Sequence, residues 1–309
     1  MKEGEARHPL YEFENRYQLT LRSDTVSWLT DPFSVDFVLR ALCGGVLVAV
    51  LCAVAGTWVI VRGMAFLGEA LAHGMLPGVA LATVAGVPVL FGAAASAIVM
   101  SLGIGALQRR AKLSYDTSIG LLFVGMLALG VIVISHAGSF ATDATAILFG
   151  DILAVGTDDL IVLAIAAAIG VGTAAVAHRA LVAAAVDERV ATVLGLRPRV
   201  AQTVLVGLVT LAVVASYQAV GSLLVVGLLV APAVAARQWT ARIPSTMLLA
   251  AVVGSAAVAV GLLVSWHAAT AAGATIAATA IAGAGASWAL RASIDAARRR
   301  VASPVPVPL

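Results

Sequence analysis

Long apolar stretches separated by short polar turns fill this chain, and their lengths predict its elements. A helix needs about 20 apolar residues to cross the hydrocarbon core of a bilayer, and stretches of that order lie at 38–61, 65–86, 89–107, 119–134 and 160–176. As a single helix, the run 201–236 would reach about 54 Å, nearly twice a core of about 30 Å. It is therefore expected to fold back, near Ser216, Tyr217 and Gln218. The same argument predicts that 246–290 turns around Ser265, Trp266 and His267. Nine crossings follow, and the expected fold class is all-α, a polytopic transmembrane helical bundle.

Composition removes the soluble alternative. With 61% hydrophobic and 11% charged residues in 309, the chain has too little polar surface for a water-exposed domain. Residues 1–30 are polar, with no apolar segment of signal-peptide type, and read as a loosely ordered N-terminal tail. The segment 28–37 reads equally as an interfacial helix anchored by Trp28, Phe33 and Phe37 or as the end of that tail. The permease body is expected over 31–292 and a cytoplasmic C-terminal tail over 293–309.

Charge placement sets the orientation. Of the 19 Lys and Arg residues, 14 fall at one set of span ends: Arg62, Arg109, Arg110, Lys112, Arg179, Arg189, Arg197, Arg199, Arg237, Arg242, Arg291, Arg298, Arg299 and Arg300. Ends of that kind face the cytoplasm. Between Lys112 and Arg179 there is no basic residue, while Asp143, Asp151, Asp158 and Asp159 occur, so this loop is expected outside. Nine crossings with a cytoplasmic C-terminus place the N-terminus outside.

Glu69 and His73 lie within the second apolar stretch, where ionisable groups are costly and usually functional. At i and i+4 they project from one face of a helix, about 40° apart around its axis, so one cation can touch both. The alternative is a structural pair that holds itself or a backbone carbonyl. Pro77 lacks the N–H that would bond the His73 carbonyl, which leaves that oxygen free for a cation, a water or a neighbouring helix. His136 and His267, near outer span ends, are weaker candidates for metal entry, and His178 is expected to be solvated on the cytoplasmic side. Cys43 and Cys52 are nine residues apart, on opposite faces of the first span, which excludes a disulfide between them.

Several chemistries are missing. Neither lysine, Lys2 or Lys112, ends a Gly-x-x-x-x-Gly-Lys loop, so the chain is not expected to hydrolyse ATP. His-Glu-x-x-His, Gly-x-Ser-x-Gly and Cys-x-x-Cys do not occur, which weakens a hydrolase or redox reading.

The segment Arg62-Gly-Met-Ala-Phe-Leu-Gly-Glu-Ala-Leu-Ala-His-Gly-Met-Leu-Pro-Gly-Val-Ala-Leu81 resembles the signature of the metal-ion permeases of ABC importers, which carry zinc, manganese or iron(II). Asp116-Thr-Ser-Ile-Gly120, Leu148-Phe-Gly-Asp-Ile-Leu153 and Gly227-Leu-Leu-Val-Ala-Pro-Ala-Val-Ala-Ala-Arg237 resemble further stretches of that family in the same order. Glu69 stands where the family usually has Asp, so the carboxylate is kept and reaches one methylene further. Asp187-Glu-Arg-Val-Ala-Thr-Val-Leu-Gly-Leu196 is similar to the short helix by which the family seats itself in a groove of its ATPase. Its Asp187, Glu188 and Arg189 form a charged first turn, Val190, Val193 and Leu194 offer apolar contacts, and Gly195 can end it in a left-handed conformation.

The resemblance implies a type II importer-like permease in the plasma membrane that works as a homodimer. It also implies an ABC ATPase, an extracytoplasmic metal-binding protein and the surrounding lipid as partners. Glu69 and His73 become the expected metal ligands, the metal being cargo. No resident cofactor and no nucleic-acid partner are expected. Two other readings stay open, a permease for a chelate such as haem or a siderophore, and a membrane scaffold without transport.

Overall fold

A computed structural model of the chain describes residues 31–111, 113–137, 150–193 and 195–301. The helices are α1 (Asp36–Val61), α2 (Phe66–Gly74), α3 (Leu76–Ala85), α4 (Val89–Arg110), α5 (Tyr115–Ala137), α6 (Thr157–Val186), α7 (Glu188–Val193), α8 (Pro198–Arg237), α9 (Ile243–Ala268) and α10 (Ala272–Val301). Single 3-10 turns lie at Asp31–Ser34 and Ile152–Ala154, and there is no strand among the described residues. Among the described residues, eight helical segments, with α2 and α3 counted as one, are long and apolar enough to cross a membrane.

The expected ninth crossing is the second leg of α8. Gly221 breaks that helix at φ 73°, ψ 168°. Gln202, near the start of α8, bonds Arg62 at the end of α1. Ala233 and Ala236, near the end of α8, pack with Ala53 and Ile60 of the same α1. A straight helix of 40 residues would hold its ends about 60 Å apart. Both ends flank one region of α1, so the chain reverses at Gly221. The turn lies beyond the predicted 216–218, and the returning helix, Leu224–Arg237, is shorter than a full span.

The second predicted reversal is also displaced. α9 runs through Ser265 to Ala268, and the turn forms on Ala269, which takes a left-handed φ of 50°. Ser265 lies inside the helix and donates its hydroxyl across the turn to the Thr270 carbonyl at 2.6 Å. The predicted span 65–86 is two helices that meet at Met75, because Pro77, at the start of α3, cannot close the preceding turn.

α1 is the central element, packed against α6, α8 and α9. Its buried face includes Val48, Leu51, Cys52, Ala55 and Trp58. A Cβ on Gly56 would fall 1.8 Å from the Leu229 carbonyl oxygen, so only glycine allows α1 and the second leg of α8 to meet there. Gly78 of α3 and Gly92 of α4 form a second contact, where a Cβ on either would lie 2.0–2.2 Å from the other's carbonyl oxygen. Small residues bring helices together in lipid, where the hydrophobic effect contributes little between them. The outer surface carries large apolar side chains such as Phe91, Leu102, Val124, Ile165 and Leu248, as a lipid-facing surface requires.

Cys43 is exposed and Cys52 buried, as their opposed positions on α1 require. Phe37 stacks on Trp266, with ring centroids 6.2 Å apart, and Trp28 lies outside the described residues. So do the expected N-terminal tail, positions 148 and 149 of the external motif, and 302–309. α10 continues without interruption to Val301, carrying helix through the expected start of the C-terminal tail at 293.

Candidate metal site and coupling helix

α2 begins from a tight corner. Gly63, at φ 67°, lets its own N–H and that of Met64 return to the carbonyls of Ile60 and Val59, which closes α1. Helix α2 then starts at Phe66, with Glu69 in its first turn and His73 in its last, the placement that a helix dipole favours. Leu67, Ala70 and Leu71 face the core, while Glu69 and His73 are only partly covered.

The two side chains are brought together as their spacing predicts. His73 Nε2 lies 2.8 Å from Glu69 Oε1, with the carboxylate side chain 38% exposed and the imidazole 22%. A Phe123 edge packs on the His73 ring at 5.8 Å, and Phe123 also meets Phe66 at 5.4 Å. An aromatic wall thus fixes one side of the imidazole. Glu69, its partner, lines a cavity of about 720 Å³ between α2, the second leg of α8, and α10. Glu69 is the one ionisable residue among those lining it, and the rest, including Val226, Val230, Ala277 and Ile281, are apolar. A cation entering that cavity meets a carboxylate backed by an imidazole, a donor set suited to divalent first-row metals.

The break after α2 is satisfied from α4. Ser96 donates its hydroxyl to the Gly74 carbonyl at 2.8 Å. A Cβ on Gly74 would lie 2.0 Å from Met100 Sδ, so glycine at 74 lets α4 approach the end of α2. Sequence reasoning did not identify Ser96 or Phe123, since both come from other helices. The available signals were a buried polar residue in a small-residue stretch and an aromatic one turn or more into a span.

The other histidines do not join the pair. His267 lies at the end of α9 with Nδ1 2.9 Å from its own helix's Leu263 carbonyl oxygen. His178 is half-buried, edge-on to Trp58 at 5.7 Å, and not simply solvated as expected. The side chain of His136 lies outside what the structure describes. Among the described residues no group of three or more His, Cys, Asp or Glu side chains could hold a metal. One chain therefore offers two side-chain donors.

Within the segment 187–196, Glu188–Val193 form a short helix, α7, between α6 and α8. Asp187 caps it, accepting the Arg189 N–H on Oδ1 at 2.7 Å. Gly195 ends it at φ 73°, with the Leu196 N–H returning to the Ala191 carbonyl at 2.9 Å. Ala191 is buried against the body while Val193 is 88% exposed, an apolar side chain presented outward. Position 194 and the side chains of Glu188 and Val190 lie outside the described set.

The family model described as "ABC 3 transport family" matches residues 34–286. The "Manganese transport system membrane protein MntC" of Listeria innocua is 35% identical over 230 residues, covering 74% of this chain and 82% of the relative. A "Probable iron transport system membrane protein" of Haemophilus influenzae is 32% identical over 240 residues, covering 78% and 88%. Among solved structures, "PsaBC from Streptococcus pneumoniae in complex with Fab" superposes with a TM-score of 0.75 at 29% identity, over 85% of this chain and 95% of that one.

Proposed function

The chain belongs to the ABC 3 transport family, and from that premise we propose that it carries manganese(II) or iron(II) across the plasma membrane, using Glu69 and His73 as ligands on the path. The observation that carries this reading is Glu69, which lines an otherwise apolar cavity and lies 2.8 Å from His73. An apolar passage with one carboxylate and one imidazole offers an ion somewhere to shed part of its hydration and little to hold it permanently. The substrates in the relatives' names, manganese and iron, favour these two metals over the zinc that the sequence resemblance also allowed. Cys52 does not contribute a soft ligand, because its thiol is buried toward the Val225 carbonyl.

The two donors found among the described residues fall short of the coordination that such ions take. A second copy across the path would supply another carboxylate and imidazole, which supports a homodimer. In this arrangement an external binding protein releases the ion at the outer mouth, and the separate ATPase seats α7 through Asp187, Glu188, Arg189, Val190, Val193, Leu194 and Gly195. The N-terminus lies outside and the C-terminus in the cytoplasm.

Reconstitution tests the cargo. Proteoliposomes holding the permease, its ATPase and the binding protein should accumulate radioactive manganese(II) or iron(II) only with ATP, and should not accumulate haem. ATP-driven haem uptake without metal-ion uptake would replace this reading with chelate transport.

A further inference from the structure

Arg62 opens the signature segment, seven residues before the Glu69 carboxylate. Its guanidinium joins the parts of the protein that flank α2 and α7. Nη1 donates to the Ala184 carbonyl in the last turn of α6, and Nη2 donates to Gln202 Oε1 in α8. Gln202 in turn points Nε2 toward Met64 Sδ at 3.7 Å, back into the corner that starts α2. Ala184 belongs to the helix that leads into α7 and Gln202 to the first turns of the helix that follows it, so one cation grips both supports of the docking helix.

We propose that Arg62 is the positioning residue through which displacement of α7 by the ATPase reaches the Glu69–His73 pair, an inference that rests on the reading of α7 as the docking helix. Three features favour this. The last carbonyls of a helix have no partner within it, and a cation there is stabilised by the helix dipole, so Arg62 follows the end of α6 when that end moves. A planar guanidinium presents two parallel donor edges, so a single side chain can link α6 and α8, which the single ammonium group of lysine does less well. The corner beside it is not packed solid, since a cavity of about 350 Å³ lies against Gly63, Met64, Tyr115, Asp116 and Ala185. Movement of Arg62 has room, and α2 follows because a helix of nine residues moves as a stiff rod.

The test uses the assembled permease and ATPase in proteoliposomes with Arg62→Gln, Arg62→Lys and, in parallel, Val193→Asp. The expected result for Arg62→Gln is normal membrane abundance, normal retention of the ATPase and basal hydrolysis within twofold of wild type. Metal uptake per ATP should drop at least tenfold, and Arg62→Lys should recover part of it. Uptake per ATP equal to wild type in Arg62→Gln overturns the inference. So does a loss of abundance or ATPase retention that accounts for the whole defect, since that is a structural role. Val193→Asp reports separately on docking: if it retains the ATPase and transports normally, the docking reading has failed whatever Arg62 does.

Discussion

Gly150 and Gly221 meet backbone to backbone: a Cβ on Gly150 would lie 2.3 Å from the Gly221 nitrogen and 2.5 Å from the Val220 carbonyl carbon. Both have positive φ, 58° and 73°. The combination of φ 73° and ψ 168° at Gly221 is open essentially to glycine alone, and other residues there incur about 1–3 kcal/mol of strain. Gly221→Ala is therefore expected to lower the melting temperature of the detergent-purified protein and to reduce uptake. A melting curve and uptake identical to wild type would show that α8 does not reverse there.

Variants of Glu69 and His73 separate charge from geometry. Glu69→Gln and His73→Ala should each abolish most metal uptake, whereas Glu69→Asp keeps an oxygen donor of the same charge and should retain part of it. If the pair were only structural, Glu69→Gln combined with His73→Gln could keep a hydrogen bond and transport well. Near-wild-type uptake by that double variant, at equal membrane abundance, removes both residues from the ligand set.

Val193 touches almost nothing within the chain, with 88% of its surface exposed. Val193→Asp should therefore leave insertion and thermal stability unchanged, yet reduce co-purification of the ATPase at least tenfold, because a carboxylate enters an apolar groove only at a high desolvation cost. Full recovery of the ATPase with the variant would place docking elsewhere.

Orientation is testable with single cysteines in a background free of Cys43 and Cys52. Thr157→Cys should react with an impermeant maleimide in intact cells, and Thr192→Cys only after the membrane is opened. The opposite pattern would invert the topology drawn from the basic span ends.

A methyl group at Gly78 would sit 2.0 Å from the Gly92 carbonyl oxygen, and backbone yields less readily than a side chain. Gly78→Ala should cost about 1–3 kcal/mol, the usual range for an overfilled contact. Thermal denaturation measures it, and a variant as stable as wild type would mean that α3 and α4 do not approach so closely.

Apolar run lengths carried most of the fold because a bilayer fixes how long a crossing must be, independently of packing. They could not locate the reversals. Ser216 and Tyr217 look like turn residues, yet both are buried in the bundle, and the reversal falls on a glycine that composition does not distinguish among 29. The Glu69–His73 pair was legible because it lies within one helix, where spacing alone sets geometry. Phe123 and Ser96 were not, because each reaches α2 from another helix, and so did the acceptors of Arg62. Only the tertiary arrangement brings those contacts about.

The Gly78–Gly92 contact has a mechanical consequence for the helix break at Met75. It bolts α3 to α4, while α2 remains tied to the Arg62 corner and carries Glu69 and His73. If Arg62 transmits the displacement of α7 as proposed, α2 moves at its Arg62 end while α3 stays beside α4, and the proline-weakened turn at Met75 becomes the fulcrum of a lever.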